Sequence, residues 1–348
     1  MRFQIKKWGR RVALGAVGLL LLAAVVGAGY ETVSRRRAAR DFPSPGKLVD
    51  IGGRRIQLDC RGAGTPTVVF ESGLDMGGSL NWSTVHDSVA RTTRACAYSR
   101  AGMMWSDPPG RPQTGARIAE DLHAALAAAG EQPPLVLVGH SLGGPYALIY
   151  TKRFGADVAG MVLVDASHPD QVRRLSALHV PSLAESMRPY RIAAALAPLG
   201  VARVAAAAPD SVPPPPAFDV RTAAAYASTS LRAMLAEADA FDLTMAEAGS
   251  GRPLGDRPLF VLTSTAPASS EEREAMNLSP ERDRQRIEIW TKMQDEEATW
   301  SSRSQHRLVP DASHYIQLDR PDVVIAAVRS VVDSVRATAA DRRAPAAQ

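Results

Sequence analysis

Cysteine is nearly missing from this sequence: Cys60 and Cys96 are the only two in 348 residues. So small a supply excludes a disulfide-dense scaffold and a four-cysteine metal site, and an isolated cysteine is most often a small buried hydrophobe. Aromatic residues are also few, at 5% of the chain, but 45% is hydrophobic and 22% charged. A sizeable core can therefore be buried, and disorder is not expected. Excess basic charge is lacking over most of the length. Residues 1–41 hold nine Lys/Arg against two acids, a surplus of seven in a chain whose formal charge is +5, so everything after them carries −2. A nucleic-acid surface needs basic residues spread over the folded part, and no nucleic-acid partner is expected. No internal repeat is present, and the length suits one main domain with a modest insertion.

The first 41 residues carry a membrane pattern instead. Residues 12–30, VALGAVGLLLLAAVVGAGY, are nineteen in a row without a charge, about what a helix needs to cross a ~30 Å hydrocarbon core. The run is longer than the apolar stretch of an ordinary signal peptide, and Arg35, Arg36, Arg37 and Arg40 follow it in the manner of a stop-transfer flank. A retained anchor is favoured over a cleaved signal, with the amino terminus inside and the remainder outside the cytosol; cleavage would leave the protein secreted. Arg10-Arg11 is read as a basic juxtamembrane flank rather than a twin-arginine export signal.

Beyond a Pro- and Gly-containing linker at 41–47, short apolar runs alternate with longer helical stretches, which signals α/β architecture. Strands are expected at 48–51, 55–60, 67–70, 95–98, 135–138, 160–164, 259–262 and 306–309. Helices are expected at 80–90, 114–129 with Thr114 as cap and Gly130 as stop, 142–154, 279–302 and 321–337. The continuous apolar run 135–138 suits a strand buried on both faces. Residues 170–251 read as an Ala-rich helical insertion interrupted at Ala208-Pro209 and at the prolines 213–216, a cap over the carboxyl edge of the sheet. The division is thus a membrane segment at 1–41, a catalytic domain at 42–340 and a disordered tail at 341–348.

Gly139-His140-Ser141-Leu142-Gly143 fits G-x-S-x-G, a tight strand-to-helix turn that holds a Ser in a strained conformation above the sheet. The run 135–138 supplies the strand, and Gly143-Gly144-Pro145-Tyr146-Ala147 the helix entry, with Pro145 in a first turn where a missing donor is tolerated. Ser141 is the expected nucleophile. A Ser hydroxyl is weak near neutral pH and needs a base, usually His. With the base following the nucleophile in the chain, His168, His179, His306 and His314 are eligible. His314 lies in the polar loop Asp311-Ala312-Ser313-His314-Tyr315 between the last strand and the last helix, where catalysis needs it, whereas His306 opens that strand. His140 points away from the Ser hydroxyl and is given a structural role. His168 is read as a polar loop residue, with substrate contact as the other reading.

From 48 to 337 the chain resembles the α/β-hydrolase superfamily. The matching pieces are Glu71-Ser72-Gly73-Leu74, Arg100-Ala101-Gly102 with Trp105-Ser106-Asp107, the elbow, and Ser313-His314-Tyr315. The resemblance implies a central, mostly parallel eight-stranded sheet with helices on both faces and a helical cap. It also implies that the second and fourth strands are neighbours, which would bring Cys60 and Cys96 together as a disulfide and agrees with an exported domain. The superfamily most often takes its acid after the seventh strand, but 262–270 contain none and Glu271 and Glu272 come only later. Some branches take it after the sixth strand, where Asp165 stands, and Asp165 is the preferred acid. Its simpler reading is a cap or loop hydrogen-bonding role. Leu142 and, by the superfamily pattern, Leu74 are the expected backbone donors of the oxyanion hole. Two departures stand out: the usual His-Gly of that loop is Ser72-Gly73, and Ser99 replaces an acid often found before Arg100, so a loop-bracing salt bridge is expected to be absent.

These residues imply a carboxylesterase-like serine hydrolase acting on a small-molecule ester, thioester or lactone through an acyl-enzyme, without metal or cofactor. Epoxide hydrolases and haloalkane dehalogenases use an Asp nucleophile, which Ser141 counts against. Carbon-carbon bond hydrolases, cofactor-free haloperoxidases and a noncatalytic ligand-binding protein on the same scaffold are the alternatives.

Overall fold

The computed structural model describes residues 2–206 and 220–343. Eight strands form one sheet in the order β1-β2-β4-β3-β5-β6-β7-β8, where β1 is Lys47–Asp50, β2 Arg55–Arg61, β3 Thr67–Glu71, β4 Ala95–Ser99, β5 Leu135–His140, β6 Val158–Val164, β7 Leu259–Ser264 and β8 Ser304–Val309. β2 runs antiparallel to β1 and β4; all other pairs are parallel. This is the α/β-hydrolase fold with the expected neighbours.

Every residue of β5 is buried, because helices cover both faces of a parallel sheet. Alternation divides the apolar side chains between two layers. Val69, Leu135, Leu137, Met161 and Leu163 face the helices Gly115–Ala129 and Gly143–Arg153. Val68, Phe70, Val136, Val138 and Val162 face the last helix, Pro321–Arg343, through Val324, Val328 and Val332. Each layer removes large apolar side chains from water, worth roughly 1.5–3 kcal/mol apiece before entropy is charged against them.

Three local expectations are not met. The helix expected at 80–90 is broken into a 3-10 turn, Gly78–Trp82, and a short helix, His86–Ala90; Trp82 turns inward to stack on Phe70 and donate to Ser72 Oγ, which bends the chain there. A helix at Ser270–Ala275 stands where the sequence reading has loop. The last helix runs six residues further than expected, through Arg343, so the tail does not begin at Asp341; 344–348 lie outside the described residues. The first helix, Arg2–Asp41, is one continuous rod that carries the whole charge-free run.

Between β6 and β7 the chain leaves the sheet to form helices at Gln171–Leu175, Leu183–Ser186, Arg188–Leu196, Val201–Ala206, Val220–Asp239 and Phe241–Gly249. The proline-rich interruption at 208–216 lies outside the described residues. Phe241 and Met245 pack on Leu142 and Tyr146 of the elbow helix, so this insertion sits on the carboxyl edge of the central strands.

Candidate active site

The turn after β5 has no room for side chains at its glycines. Ser141 is held at φ +52°, a left-handed conformation that is costly for a residue with a Cβ. A Cβ on Gly139 would stand 2.6 Å from the Gly143 carbonyl oxygen, and one on Gly143 2.3 Å from that of Glu71. A Cβ on Gly73 would meet that of Ser141 at 2.9 Å, so the loop after β3 can lie against the Ser only because Gly73 is bare. The turn is tied down by the Ser141 N–H donating to Val164 and the Ser141 carbonyl accepting from Gly144 and Ser167.

Asp165 follows β6 at φ +44°. Its carboxylate accepts from three donors: His314 Nδ1 at 2.6 Å, the Ser264 N–H at 2.9 Å and Trp290 Nε1 at 2.8 Å. The structure thus brings His314 to Asp165, with the imidazole half exposed and the carboxylate buried. It does not bring Glu271 or Glu272 there. Glu272 forms a capping box with Ser269 on the helix Ser270–Ala275, and Glu271 is exposed beside it. His306 is spent elsewhere, between Thr263 Oγ1 and Asp295. No hydrogen bond joins the Ser141 hydroxyl to His314 among the described residues; bonds of this kind often tighten only with substrate in place.

His140 is buried, and its Nε2 lies 2.9 Å from the His314 carbonyl oxygen. A carbonyl only accepts, so Nε2 carries the proton. Burial, with His314 beside it, holds the imidazole well below its ordinary pKa and neutral. His140 therefore fixes the backbone of the loop that carries His314. His168 does not reach the cavity that contains Ser141: it is fully buried, with Nδ1 accepting from the Asp170 N–H and Nε2 facing Glu296. Burial pushes its pKa down to about 4. The substrate-contact reading of His168 is withdrawn.

The loop after β3 is held by a buried guanidinium. Arg100 donates from Nη1 to Glu71 and the Ser72 carbonyl, from Nη2 to the Gly73 carbonyl and Glu237, and from Nε to Glu237. The salt bridge expected to be missing is present, because Glu71 and Glu237 supply the carboxylates that position 99 does not. Burial pushes the Glu71 carboxyl up to about 7 against the pull of Arg100. Ser99 joins Ser79 instead. The N–H groups of Leu142 and Leu74 donate to no acceptor among the described residues, and both residues line the same cavity as Ser141. That cavity measures ≈ 850 Å³ and is walled by the insertion through Val172, Leu175, Met187 and Phe241.

Three contributors were not read from the sequence: Trp290, Gln294 and Glu237. Gln294 donates to the Ala166 carbonyl, one residue past Asp165. Trp290 and Gln294 are four apart on the helix Pro280–Ala298 and so share a face. A Trp and a Gln aligned on an otherwise highly charged helix is the signal that was available. Just behind them Glu297 is fully buried with neither carboxyl oxygen hydrogen bonded among the described residues, and burial, then the nearby Asp165 charge, holds its pKa well above the usual range.

A family model described as "Alpha/beta hydrolase family" matches residues 60–327. Over 98 residues the chain is 37% identical to an uncharacterized protein of Schizosaccharomyces pombe, covering 28% of this chain and 18% of that one. Over 139 residues it is 29% identical to a 2-hydroxymuconate semialdehyde hydrolase of a Pseudomonas species, covering 40% and 44%. The matches span less than half the length of these curated relatives. An esterase from Thermogutta terrifontis superposes with a TM-score of 0.59 at 17% identity, over 81% of this chain and 94% of that one, a likeness of fold. With the family model covering well over half of its length, the chain belongs to the alpha/beta hydrolase family.

Proposed function

We propose that this hydrolase cleaves a carboxylic ester, thioester or lactone through an acyl-enzyme on Ser141. The observation that carries the reading is the 2.6 Å contact between Asp165 and His314 Nδ1, on the sheet edge where Ser141 is held at φ +52°. A carboxylate acceptor at Nδ1 leaves that nitrogen protonated and Nε2 free to accept. His314 Nε2 takes the Ser141 proton as Oγ attacks the carbonyl, and Asp165 stabilises the imidazolium while staying ionised. The N–H groups of Leu142 and Leu74 receive the oxyanion, and the same imidazolium protonates the departing alcohol or thiol. His314 then activates a water that releases the acid.

Fluorophosphonate labelling together with turnover of p-nitrophenyl butyrate tests this. Labelling and turnover should both vanish in Ser141→Ala and His314→Ala; folded wild-type chain that takes no label would rule out the nucleophile and favour a binding protein. A second reading, carbon-carbon bond hydrolysis, is favoured by the similarity to the semialdehyde hydrolase. A vinylogous 1,5-diketone substrate separates the two: faster cleavage of it than of any ester in a panel would displace the ester reading.

We also infer that the first helix anchors the catalytic domain on the oxidising side of a membrane. Its stretch Trp8–Asp41 has a mean hydropathy of 2.4 over its most apolar window, none of it buried. The Cys60–Cys96 disulfide, directly across the β2–β4 pair, supports the compartment. Trypsin added outside intact cells should reach the catalytic domain; protection from it would reverse the orientation.

A further inference from the structure

The first helix does not stand clear of the domain it precedes. Its backbone at Gly27 lies so close to the insertion that a Cβ there would stand 2.5 Å from the Leu199 carbonyl oxygen. Gly200, at φ +79°, faces the ring of Tyr30. One turn on, Glu31 and Arg203 form an ion pair at 3.0 Å with both side chains buried. Bare glycines on both sides and a buried charge pair fix this crossing.

Above the crossing, residues 12–26 have almost nothing packed against them. Beside it, the insertion exposes its own large apolar side chains: Tyr190, Ile192 and Leu196 on the helix Arg188–Leu196, then Val201 and Val204 on the next. Ile192 and Val204 are 65% and 61% exposed, an arrangement that water does not favour and that marks an interaction surface when contiguous. Position decides the partner. Gly27 lies three residues inside the charge-free run that ends at Tyr30, about 4–5 Å along a helix axis. A helix that spans the ~30 Å hydrocarbon core with that run sets the crossing at the headgroup boundary, and the apolar side chains flanking it arrive at the same depth. Arg36 and Arg37, exposed one to two turns further on, and exposed Arg188 meet anionic headgroups there.

The helix Arg188–Leu196 and the residue before it separate this surface from the catalytic cavity. Met187 and Arg191 line the cavity with Ser141, while Ile192 and Leu196 face outward. We propose that the insertion is seated on the lipid surface beside the first helix, with residues 190–204 at the headgroup–acyl boundary, and that the cavity draws its ester from the bilayer. The substrate part rests on the ester reading above; the lipid contact does not.

The test uses the full chain in phosphatidylcholine–phosphatidylglycerol vesicles, with and without brominated acyl chains. Val204→Trp should add fluorescence that the brominated chains quench at least twofold more strongly than that added by Leu308→Trp, on the exposed edge strand β8. Equal quenching overturns the lipid contact. The pair Ile192→Glu and Val204→Glu should lower turnover of a long-chain ester dissolved in the vesicles about tenfold while leaving p-nitrophenyl acetate in solution unchanged. Equal loss on both esters overturns the bilayer route. Wild-type chain that hydrolyses neither ester refutes the ester reading alone, and the quenching result still decides the lipid contact.

Discussion

Three donors converge on the Asp165 carboxylate, and each can be removed without emptying the site. Asp165→Asn would offer an amide N–H or a weaker acceptor to His314 Nδ1 and release the tautomer that leaves Nε2 free. It should lower kcat on a p-nitrophenyl ester by roughly 10³–10⁴ with KM little changed. Trp290→Phe keeps an aromatic, though smaller, ring and removes the Nε1 donor at 2.8 Å. A hydrogen bond to a charged group is worth about 1.5–3 kcal/mol, and a part of that, felt as a looser carboxylate, predicts about a tenfold fall in kcat with unchanged melting temperature. An unaltered kcat would show that Ser264 and His314 suffice to hold the acid.

At the scale of elements, the loop after β3 and the helix Val220–Asp239 of the insertion are joined through one side chain. Arg100→Met would leave Glu71 and Glu237 buried without their shared cation, and breaking a buried pair of this kind costs about 3–5 kcal/mol. Urea denaturation should show the midpoint falling accordingly, and Glu237→Gln should cost less because Arg100 keeps Glu71. How far this was legible follows from distance along the chain. The elbow and the loop of His314 rest on local pattern and are visible as Gly139-His140-Ser141-Leu142-Gly143 and Ser313-His314-Tyr315, whereas the β2–β4 adjacency, and with it the pairing of Cys60 with Cys96, followed only from the resemblance to the α/β-hydrolase superfamily. Arg100 was conspicuous but its partner was not, since Glu237 lies 137 residues away and nothing in an Ala-rich helix marks one Glu as buried. The helix at 80–90 failed for the same kind of reason: periodicity favours a helix, and a tertiary demand, the seat of Trp82 on Phe70, breaks it.

For the whole molecule, two predictions concern stability. The disulfide closes a loop with a sequence separation of 36; on the chain-entropy account its loss costs up to about 4 kcal/mol. Cys60→Ser with Cys96→Ser should lower the unfolding free energy obtained from urea denaturation by no more than that, and an unchanged value would mean the unfolded chain is already compact there. The second concerns acid. His168 is pushed from 6.5 to about 4, so the native state keeps it neutral while the unfolded chain binds a proton first as pH falls. Its stabilising effect is complete above about pH 6.5 and is lost on the way down to about pH 4; buried His140 acts in the same direction. Glu71, raised to about 7, acts oppositely and stabilises toward acid. Comparison with His168→Asn isolates one contribution: the gap in melting temperature between wild type and variant should be widest at pH 7 and narrow by pH 5. A gap that is constant across this range would assign His168 a pKa near its ordinary value.

Arg100 has five N–H donors, and every one is engaged between the loop after β3, with Glu71 at its start, and the insertion. A lid hinged through the helix Val220–Asp239 would have to part the buried Arg100 from the buried Glu237 each time it opened. The helix Val220–Asp239 is therefore pinned to the loop after β3 through this one guanidinium. With that helix held in place, progress curves with dispersed ester should rise linearly from the first seconds of mixing, without the lag of an enzyme that must open first.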